Sequence, residues 1–440
     1  MTAVGTAPMT VSAAVALAQR YAADPLPEAD RCRALRRFAQ LLRDRADEIA
    51  PLLVQEVGKP ITLARGEVHR SGEVAERTAS EWETLAGEVV ATGTSAGAEG
   101  RTVLVKRYPL GVVCAITPFN FPVGLAVHKL APVLVAGNAC VVKPSERAPR
   151  TTEALRDLLI QSGFPPEAVP VVHGGPETVD ALLADPGIAL YSFTGSAAVG
   201  EKVKAASGLR PVLLELGSNA ATIVHADADV LRAAEGLARG AYAYAGQACF
   251  GVQRIIVHRD RREELVERLV AAIGELTVGD PADPSTLVGP LIDEAAARRV
   301  EGLITAAVAG GATLLCGGGR DGSFVQPALL ARVDREAALW RDEAFGPVAV
   351  LAEYDTIDEA IALANDSRYG LQTGLFTADI GTALYAADRL HTGTVNVNDT
   401  SAWRCAPMPF GGVGDSGIGR EGPRYAIEAA TAQRTVVLSA

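Results

Sequence analysis

The chain has no surplus of positive charge. Its 440 residues carry 41 Lys and Arg against 52 Asp and Glu, a formal net charge of −11. Nucleic-acid binding needs clustered basic residues for the phosphates, so the charge balance argues against that class of partner. Aromatic residues are few, at 5%, but hydrophobic residues reach 48% and charged ones only 21%. That balance belongs to a chain that buries a large core rather than to a disordered one. At ordinary domain sizes the length predicts roughly two to three domains. The six cysteines (Cys32, Cys114, Cys140, Cys249, Cys316 and Cys405) form no CxxC pair and no metal-ligand spacing. No metal is expected, and in a reducing compartment all six are expected as thiols.

Clean membrane segments are also lacking. Tyr108 to Val127 carries no charge and is long enough to span a bilayer. Pro109, Pro118 and Pro122, with Asn120 among them, break any single helix there, and the text reads as strand, loop and helix start. The first nineteen residues are apolar, yet no Lys or Arg precedes Arg20, so the basic leading region of a signal peptide is missing. The expectation is a cytoplasmic protein without membrane contact.

What is present is alternation. Residues 31 to 57 and 62 to 87 read as two amphipathic helices broken at Gly58-Lys59-Pro60. After them, β-rich runs at Val112 to Ile116, Ala139 to Val142, Val169 to Val172, Leu190 to Phe193 and Val212 to Leu214 alternate with helical patterns near 125 to 136, 151 to 162, 177 to 184 and 197 to 207. Such alternation predicts an α/β fold, a parallel sheet with helices on both faces. A second series, from about Ala221 to residue 400, has strands at 253 to 258, 312 to 316, 347 to 352 and 394 to 397. The turn Glu215 to Asn219 lies between the two. The expected organisation is a Rossmann-like cofactor domain (1–99 and 110–216), an α/β catalytic domain (217–415), and a small β segment (100–109 and 430–440) used for association as an edge hairpin.

Three residue types point to chemistry. In Gly246-Gln247-Ala248-Cys249-Phe250-Gly251 a thiol sits among small residues, in text too glycine-rich for a buried helix centre. Cys114 and Cys140, inside apolar strands, read as small buried hydrophobes. In Thr117-Pro118-Phe119-Asn120-Phe121-Pro122 an amide is set in an apolar run, either to serve a turn or to face a developing oxyanion. In Leu213-Leu214-Glu215-Leu216-Gly217 a carboxylate interrupts leucines at a strand end, where burial raises its pKa toward general-base use; a buried salt bridge is the alternative.

Phosphate chemistry has two candidates. Phe193-Thr194-Gly195-Ser196 follows a strand and opens a helix, whose free N–H groups suit a phosphate. Gly412-Val413-Gly414-Asp415-Ser416-Gly417 matches GxGxxG, but only 23 residues follow, too few for the helix, strand and acid that fingerprint requires. It is expected to be a flexible loop. Lys143 and Glu146, in Lys143-Pro144-Ser145-Glu146, leave the carboxyl end of a strand, the edge where open sheets bind ligands; an exposed turn is the alternative.

Taken in order, Phe119-Asn120-Phe121-Pro122, Lys143-Pro144-Ser145-Glu146, Phe193-Thr194-Gly195-Ser196, Glu215-Leu216-Gly217, Gly246-Gln247-Ala248-Cys249, Glu343-Ala344-Phe345-Gly346-Pro347 and Pro409-Phe410-Gly411-Gly412 resemble the motifs of the aldehyde dehydrogenase superfamily. The run from Gly246 to Arg254 looks like the branch that includes lactaldehyde and semialdehyde dehydrogenases. The resemblance implies that Cys249 attacks an aldehyde, that Asn120 and the Cys249 N–H hold the oxyanion, and that Glu215 activates the water that hydrolyses the thioester. It implies a dinucleotide held by Lys143, Glu146, Gly195, Ser196, Gly217, Glu343 and Phe345, and an aldehyde tunnel formed by Phe121, His128, Phe250, Arg404 and Phe410. Glu146 would repel a 2′-phosphate, which favours NAD, with NADP possible because Lys143 is nearby. Arg404, inward-facing, would favour an anionic aldehyde; paired with an acid or pointing to solvent, it would not.

The sequence departs from the family pattern in a short amino end, in Gly414-Asp415 where a lysine is common, and in a brief end after Thr435. A homo-oligomer, a dimer rather than the tetramer many relatives form, is the expectation. The rival functions are transfer of the acyl group to coenzyme A, a thiol hydrolase or acyltransferase pairing Cys249 with a histidine, and a non-catalytic relative.

Overall fold

The computed structural model describes residues 9–85 and 87–439. Four helices come first: α1 (Val11–Ala23), α2 (Glu28–Asp44), α3 (Ala46–Val57) and α4 (Ile61–Thr84). The single helix expected over 31 to 57 is two, because the chain turns at Arg45 (φ −108, ψ 18). Asp47 and Glu48 then occupy the first turn of α3, where acidic side chains suit the open N–H groups. Apolar spacing continues across this break, so periodicity did not reveal it. The apolar text before Arg20 forms α1, an element not anticipated. Thr10 caps it, its hydroxyl accepting from Ala13 N–H at 3.3 Å, and Ala14, Val15, Ala18 and Tyr21 form its buried stripe.

A three-stranded antiparallel sheet follows, with β1 (Glu88–Val90) and the strand Thr431–Ser439 on either side of β2 (Arg101–Pro109). The two segments expected to form an edge hairpin therefore do pair, but as distant strands in register from Thr431 opposite Pro109 to Ser439 opposite Arg101. Ala440, the last residue of that segment, and residues 1–8 lie outside the described residues.

The first parallel sheet holds β3 (Val112–Ile116), β4 (Ala139–Lys143), β5 (Leu190–Thr194) and β6 (Val212–Glu215) in the order β6-β5-β3-β4. Between the strands run α5 (Gly124–Val135), α6 (Pro149–Ser162), α7 (Pro176–Ala184) and α8 (Ala197–Ser207). Every residue of β3, β4 and β5 is buried, which is why these strands read as unbroken apolar runs rather than alternating ones. The strand expected over 169 to 172 is reduced to one bridge between Val171 and Val142. Pro170 accepts from Val142 N–H but has no N–H of its own to extend the ladder.

The second sheet has seven strands, in spatial order Thr394–Val397, Gln372–Phe376, β7 (Ala221–Val224), β8 (Arg254–His258), Val348–Tyr354, Ala328–Ala331 and β9 (Thr313–Cys316). All neighbours are parallel except β9, which runs antiparallel to Ala328–Ala331. Three of these strands were not named from sequence: Ala221–Val224 and Ala328–Ala331 are four residues each, and Gln372–Phe376 contains Gly374. One hydrophobic core surrounds the first sheet and α1 to α8, and another spans Ala221 to Leu390.

The GxGxxG segment is not the flexible loop expected. Val413–Gly414 pairs with Tyr369–Gly370, and Gly417–Ile418 adds antiparallel to β6. Ser416 Oγ donates to Gly217 O at 2.7 Å and accepts from Gly370 N–H at 3.0 Å. These bonds tie the edge of the first sheet to the body of the second. Among the described residues no helix is long and apolar enough to cross a membrane.

Candidate active site

The thiol loop is built on unusual backbone. Helix α9 (Val230–Tyr242) is followed by Tyr244, Ala245 and Gly246 at φ 54, 53 and 66. A Cβ on Gly246 would lie 2.2 Å from Gly346 O, so this position admits only glycine. Gln247 then anchors the loop: its Nε2 donates to Tyr244 O and Pro290 O, and its Oε1 accepts from Ile292 N–H at 2.8 Å. Asn120 Nδ2 donates to Gln247 O at 2.9 Å, which sets the buried amide against the loop two residues before Cys249. The Cys249 N–H has no acceptor among the described residues. Both expected oxyanion donors thus belong to one clamped unit.

Cys249 is half-buried and faces a cavity of about 570 Å³ between α4, α5, α9 and residues 399–406. That volume suits a small organic substrate. Burial raises the Cys249 pKa, and the Glu343, Glu215 and Glu421 carboxylates raise it further while Arg404 opposes them. At rest the sulfur therefore keeps its proton, and its use as a nucleophile would need a base. Cys114 and Cys140 are wholly buried, as expected for packing residues, and burial pushes the Cys140 thiol up to about 12.

Glu215 ends β6 fully buried, and its Oε2 has no partner among the described residues. Burial, and then the neighbouring Glu421, hold its pKa well above the ordinary carboxylate value. Lys129 of α5 pairs with Glu421, Nζ to Oε1 at 2.6 Å, and also donates to Ser192 Oγ at 3.2 Å. Burial pushes Glu421 up, but Lys129, His128 and Arg404 together outweigh it and hold Glu421 below the ordinary range. Of the two neighbouring carboxylates, Glu421 keeps the charge and Glu215 the proton. The salt-bridge alternative for Glu215 is not formed among the described residues; the ion pair there belongs to Glu421. Neither Lys129 nor Glu421 was singled out from sequence, although a lone lysine in the apolar run of α5 was a usable signal.

Of the five expected tunnel residues, Phe121, His128, Phe250 and Arg404 line the cavity. Phe410 does not: it is 1% exposed and lies beneath Arg404, whose guanidinium carbon is 3.9 Å from the ring centre. Arg404 Nη2 donates to His128 Nε2 at 3.0 Å. Burial, then Arg404, push the His128 pKa down to about 3, so the ring is neutral. Among the described residues Arg404 pairs with no acid, and its guanidinium turns inward to His128 and Phe410. It is held by a neutral ring and an aromatic face, with its charge uncompensated at contact distance among the described residues.

The expected dinucleotide residues gather at the carboxyl edge of the first sheet. Lys143 ends β4 buried, its ammonium with no ion pair or hydrogen bond among the described residues; burial lowers its pKa, while Glu146 and Glu177 oppose that. Glu146 is exposed. Gly195 N–H bonds Glu215 O, and Ser196, at the start of α8, makes no capping bond and stands open. Glu343 reaches back from the second sheet's side: its Oε1 accepts from Ser218 N–H at 3.1 Å, and a Cβ on Gly217 would sit 2.7 Å from its Oε2. Burial raises Glu343 to about 7. Phe345 packs edge-on against Phe119, 6.0 Å between centroids. An unpaired lysine, an open helix start and a backbone cleared of side chains are the donor set a dinucleotide needs. Glu177, a second acid beside Lys143, was missed from sequence because it belongs to another helix. The described residues contain no cluster of three or more His, Cys, Asp or Glu arranged for a metal.

Residues 3–436 match the family described as "Aldehyde dehydrogenase family". The chain belongs to the aldehyde dehydrogenase family. It is 43% identical over 430 residues to a 3-sulfolactaldehyde dehydrogenase of Priestia aryabhattai, covering 98% of this chain and 90% of that protein. Among solved structures it is similar to aldehyde dehydrogenase 21 from Physcomitrella patens in complex with the reaction product succinate, with TM-score 0.94, 36% identity, and 98% and 90% of the two chains covered. It is equally similar to the NADP-dependent glyceraldehyde-3-phosphate dehydrogenase from Bacillus halodurans complexed with NADP, with TM-score 0.95, 36% identity, and 98% and 91% covered.

Proposed function

We propose that this protein oxidises an aldehyde bearing an anionic group to the carboxylic acid, using NAD, through a thiohemiacetal and then a thioester on Cys249. The observation that carries the anionic substrate is Arg404, whose guanidinium makes no ion pair among the described residues and lines the same cavity as the thiol. Three of the proteins this chain is similar to are named for a sulfonated aldehyde or a phosphorylated one, or hold a dicarboxylate product, while others are named for neutral aldehydes such as lactaldehyde.

Glu215, which rests protonated, first gives its proton to solvent; Cys249 Sγ then bonds to the aldehyde carbon as its own proton passes to the freed Glu215 oxygen. The oxyanion takes hydrogen bonds from the Asn120 amide and the Cys249 N–H. NAD supplies the hydride acceptor when bound. Lys143 and Glu146 would hold its adenosine ribose, Gly195 and Ser196 its pyrophosphate, and Glu343 and Phe345 the nicotinamide end beside Gly217. Glu215 releases the thiol proton to solvent before hydrolysis and then takes a proton from the water that attacks the thioester, with the Lys129–Glu421 ion pair beside it. Glu146 and Glu177 flank Lys143 with negative charge, which favours a free 2′-hydroxyl over a 2′-phosphate.

The hydrolase rival needs a histidine base for Cys249. His128, the histidine lining the cavity among the described residues, is neutral and spends Nε2 accepting from Arg404. A panel of aliphatic, aromatic and anionic aldehydes against both cofactors tests the reading. Reduction of NAD with anionic aldehydes most efficient supports it, and preference for neutral aldehydes contradicts it. The long pairing of Thr431–Ser439 with β2 leaves the outer edge of the former open, and we propose that two chains associate there as a homodimer.

A further inference from the structure

We propose that Lys59, in the link between α3 and α4, is a positioning residue for the oxyanion site, holding the Asn120 loop and the Cys249 loop in one geometry. The proposal rests on the reading of Asn120 and the Cys249 N–H as oxyanion donors.

A lysine that is 1% exposed needs compensation for its buried charge. Lys59 finds it in Glu67 of α4, with which it forms an ion pair buried on both sides. The other oxygen of Glu67 accepts from Val123 N–H and Gly124 N–H, each at 2.9 Å. The carboxylate therefore caps the start of α5, just after Asn120.

The ammonium also faces two rings. Lys59 Nζ lies 3.6 Å from the centre of Phe121 and 4.5 Å from that of Tyr244. Phe121 adjoins Asn120 in the chain. Tyr244 opens the thiol loop: its carbonyl accepts from both the backbone and the side chain of Gln247, whose own carbonyl takes the Asn120 amide. Tyr244 OH closes the ring of contacts by donating to Val57 O at 3.1 Å, two residues before Lys59. Tyr244 is also left-handed, a backbone state that persists only where its surroundings impose it. One cation thus touches a side chain of each loop, and its counter-ion fixes the helix that follows one of them. A buried ion pair is a poor source of stability by itself, whereas one shared by three elements selects a single arrangement.

The test is a double-mutant cycle between Lys59→Met/Glu67→Gln and Asn120→Ala, read as kcat and KM. The paired substitution removes both charges together and keeps an acceptor for Val123 and Gly124. It is expected to lower kcat roughly tenfold or more, a part of the 10²–10³ that an oxyanion donor contributes, with KM changing less than about threefold. In the Asn120→Ala background the same pair is expected to change kcat less than about twofold, because the group it positions is gone. Glu67→Gln alone, which lets Lys59 become neutral, is the milder variant if the pair folds poorly, and the same coupling is expected of it. Equal losses in both backgrounds, or no loss in the parent, overturn the role of Lys59. Full kcat for Asn120→Ala alone overturns the oxyanion reading itself, and the two failures are thereby told apart.

Discussion

Arg404 donates to His128 Nε2 at 3.0 Å across 276 residues of chain, and this bond decides the character of the cavity. A histidine that accepts from an arginine must be neutral at that nitrogen, so the pair carries one full positive charge rather than a balanced one. The cavity therefore presents a guanidinium that is oriented but not neutralised.

Replacing Arg404 by Leu is expected to lower kcat/KM for carboxylate-, sulfonate- or phosphate-bearing aldehydes by roughly ten- to a hundredfold. That is the worth of a charged hydrogen bond, about 1.5–3 kcal/mol. Neutral aldehydes should lose far less. Steady-state kinetics on matched anionic and neutral substrates measures the difference, and equal losses would remove the anion-binding role.

Glu215→Gln separates the two halves of the reaction. The amide cannot take a proton from water, so turnover is expected to fall by about 10²–10⁴, the range of a general base. A burst of NADH near one equivalent of enzyme should remain wherever another base serves the thiol. Stopped-flow absorbance reads both phases. Unchanged steady-state turnover would show that the base lies elsewhere.

The raised pKa of Glu215 also makes a statement about stability. Its folded-state pKa lies above the ordinary 4.5, so the folded protein holds this proton more tightly than the unfolded chain. The stabilising contribution is full below pH 4.5 and is lost as pH rises through the folded value. Glu343, raised to about 7, acts with the same sign. Urea midpoints of the parent between pH 5 and 7 should therefore fall more steeply than those of Glu215→Gln. Parallel slopes would mean that Glu215 titrates normally.

Cofactor preference is expected to follow Glu146 and Glu177. The parent should reduce NAD more efficiently than NADP, and Glu146→Gln should narrow the ratio by removing one of the two charges near Lys143. Rates with both cofactors, for both proteins, provide the check. A parent that prefers NADP contradicts the assignment.

The strands of the first sheet were legible because full burial writes continuous apolar text, as in β3 and β5. The thiol, amide and acid were legible because each interrupts its surroundings: Asn120 and Glu215 are polar atoms in apolar runs, and Cys249 stands among glycines. Helix α1 was hidden by its lack of early charge. The break at Arg45 was hidden because hydrophobic spacing ran through it. Glu421 and Glu177 carry no local signature at all, since their meaning comes from Lys129 and Lys143 on other elements. The order of Gly412 to Gly417 likewise comes from partners distant in the chain, β6 and Tyr369–Gly370.

The most direct test is the rate of NAD reduction by Cys249→Ser with an anionic aldehyde, with folding checked in parallel. Loss of turnover by about 10³ or more, together with absence of the NADH burst, is the result expected when a sulfur carries the acyl group. A serine variant that turns over at the parent rate contradicts it.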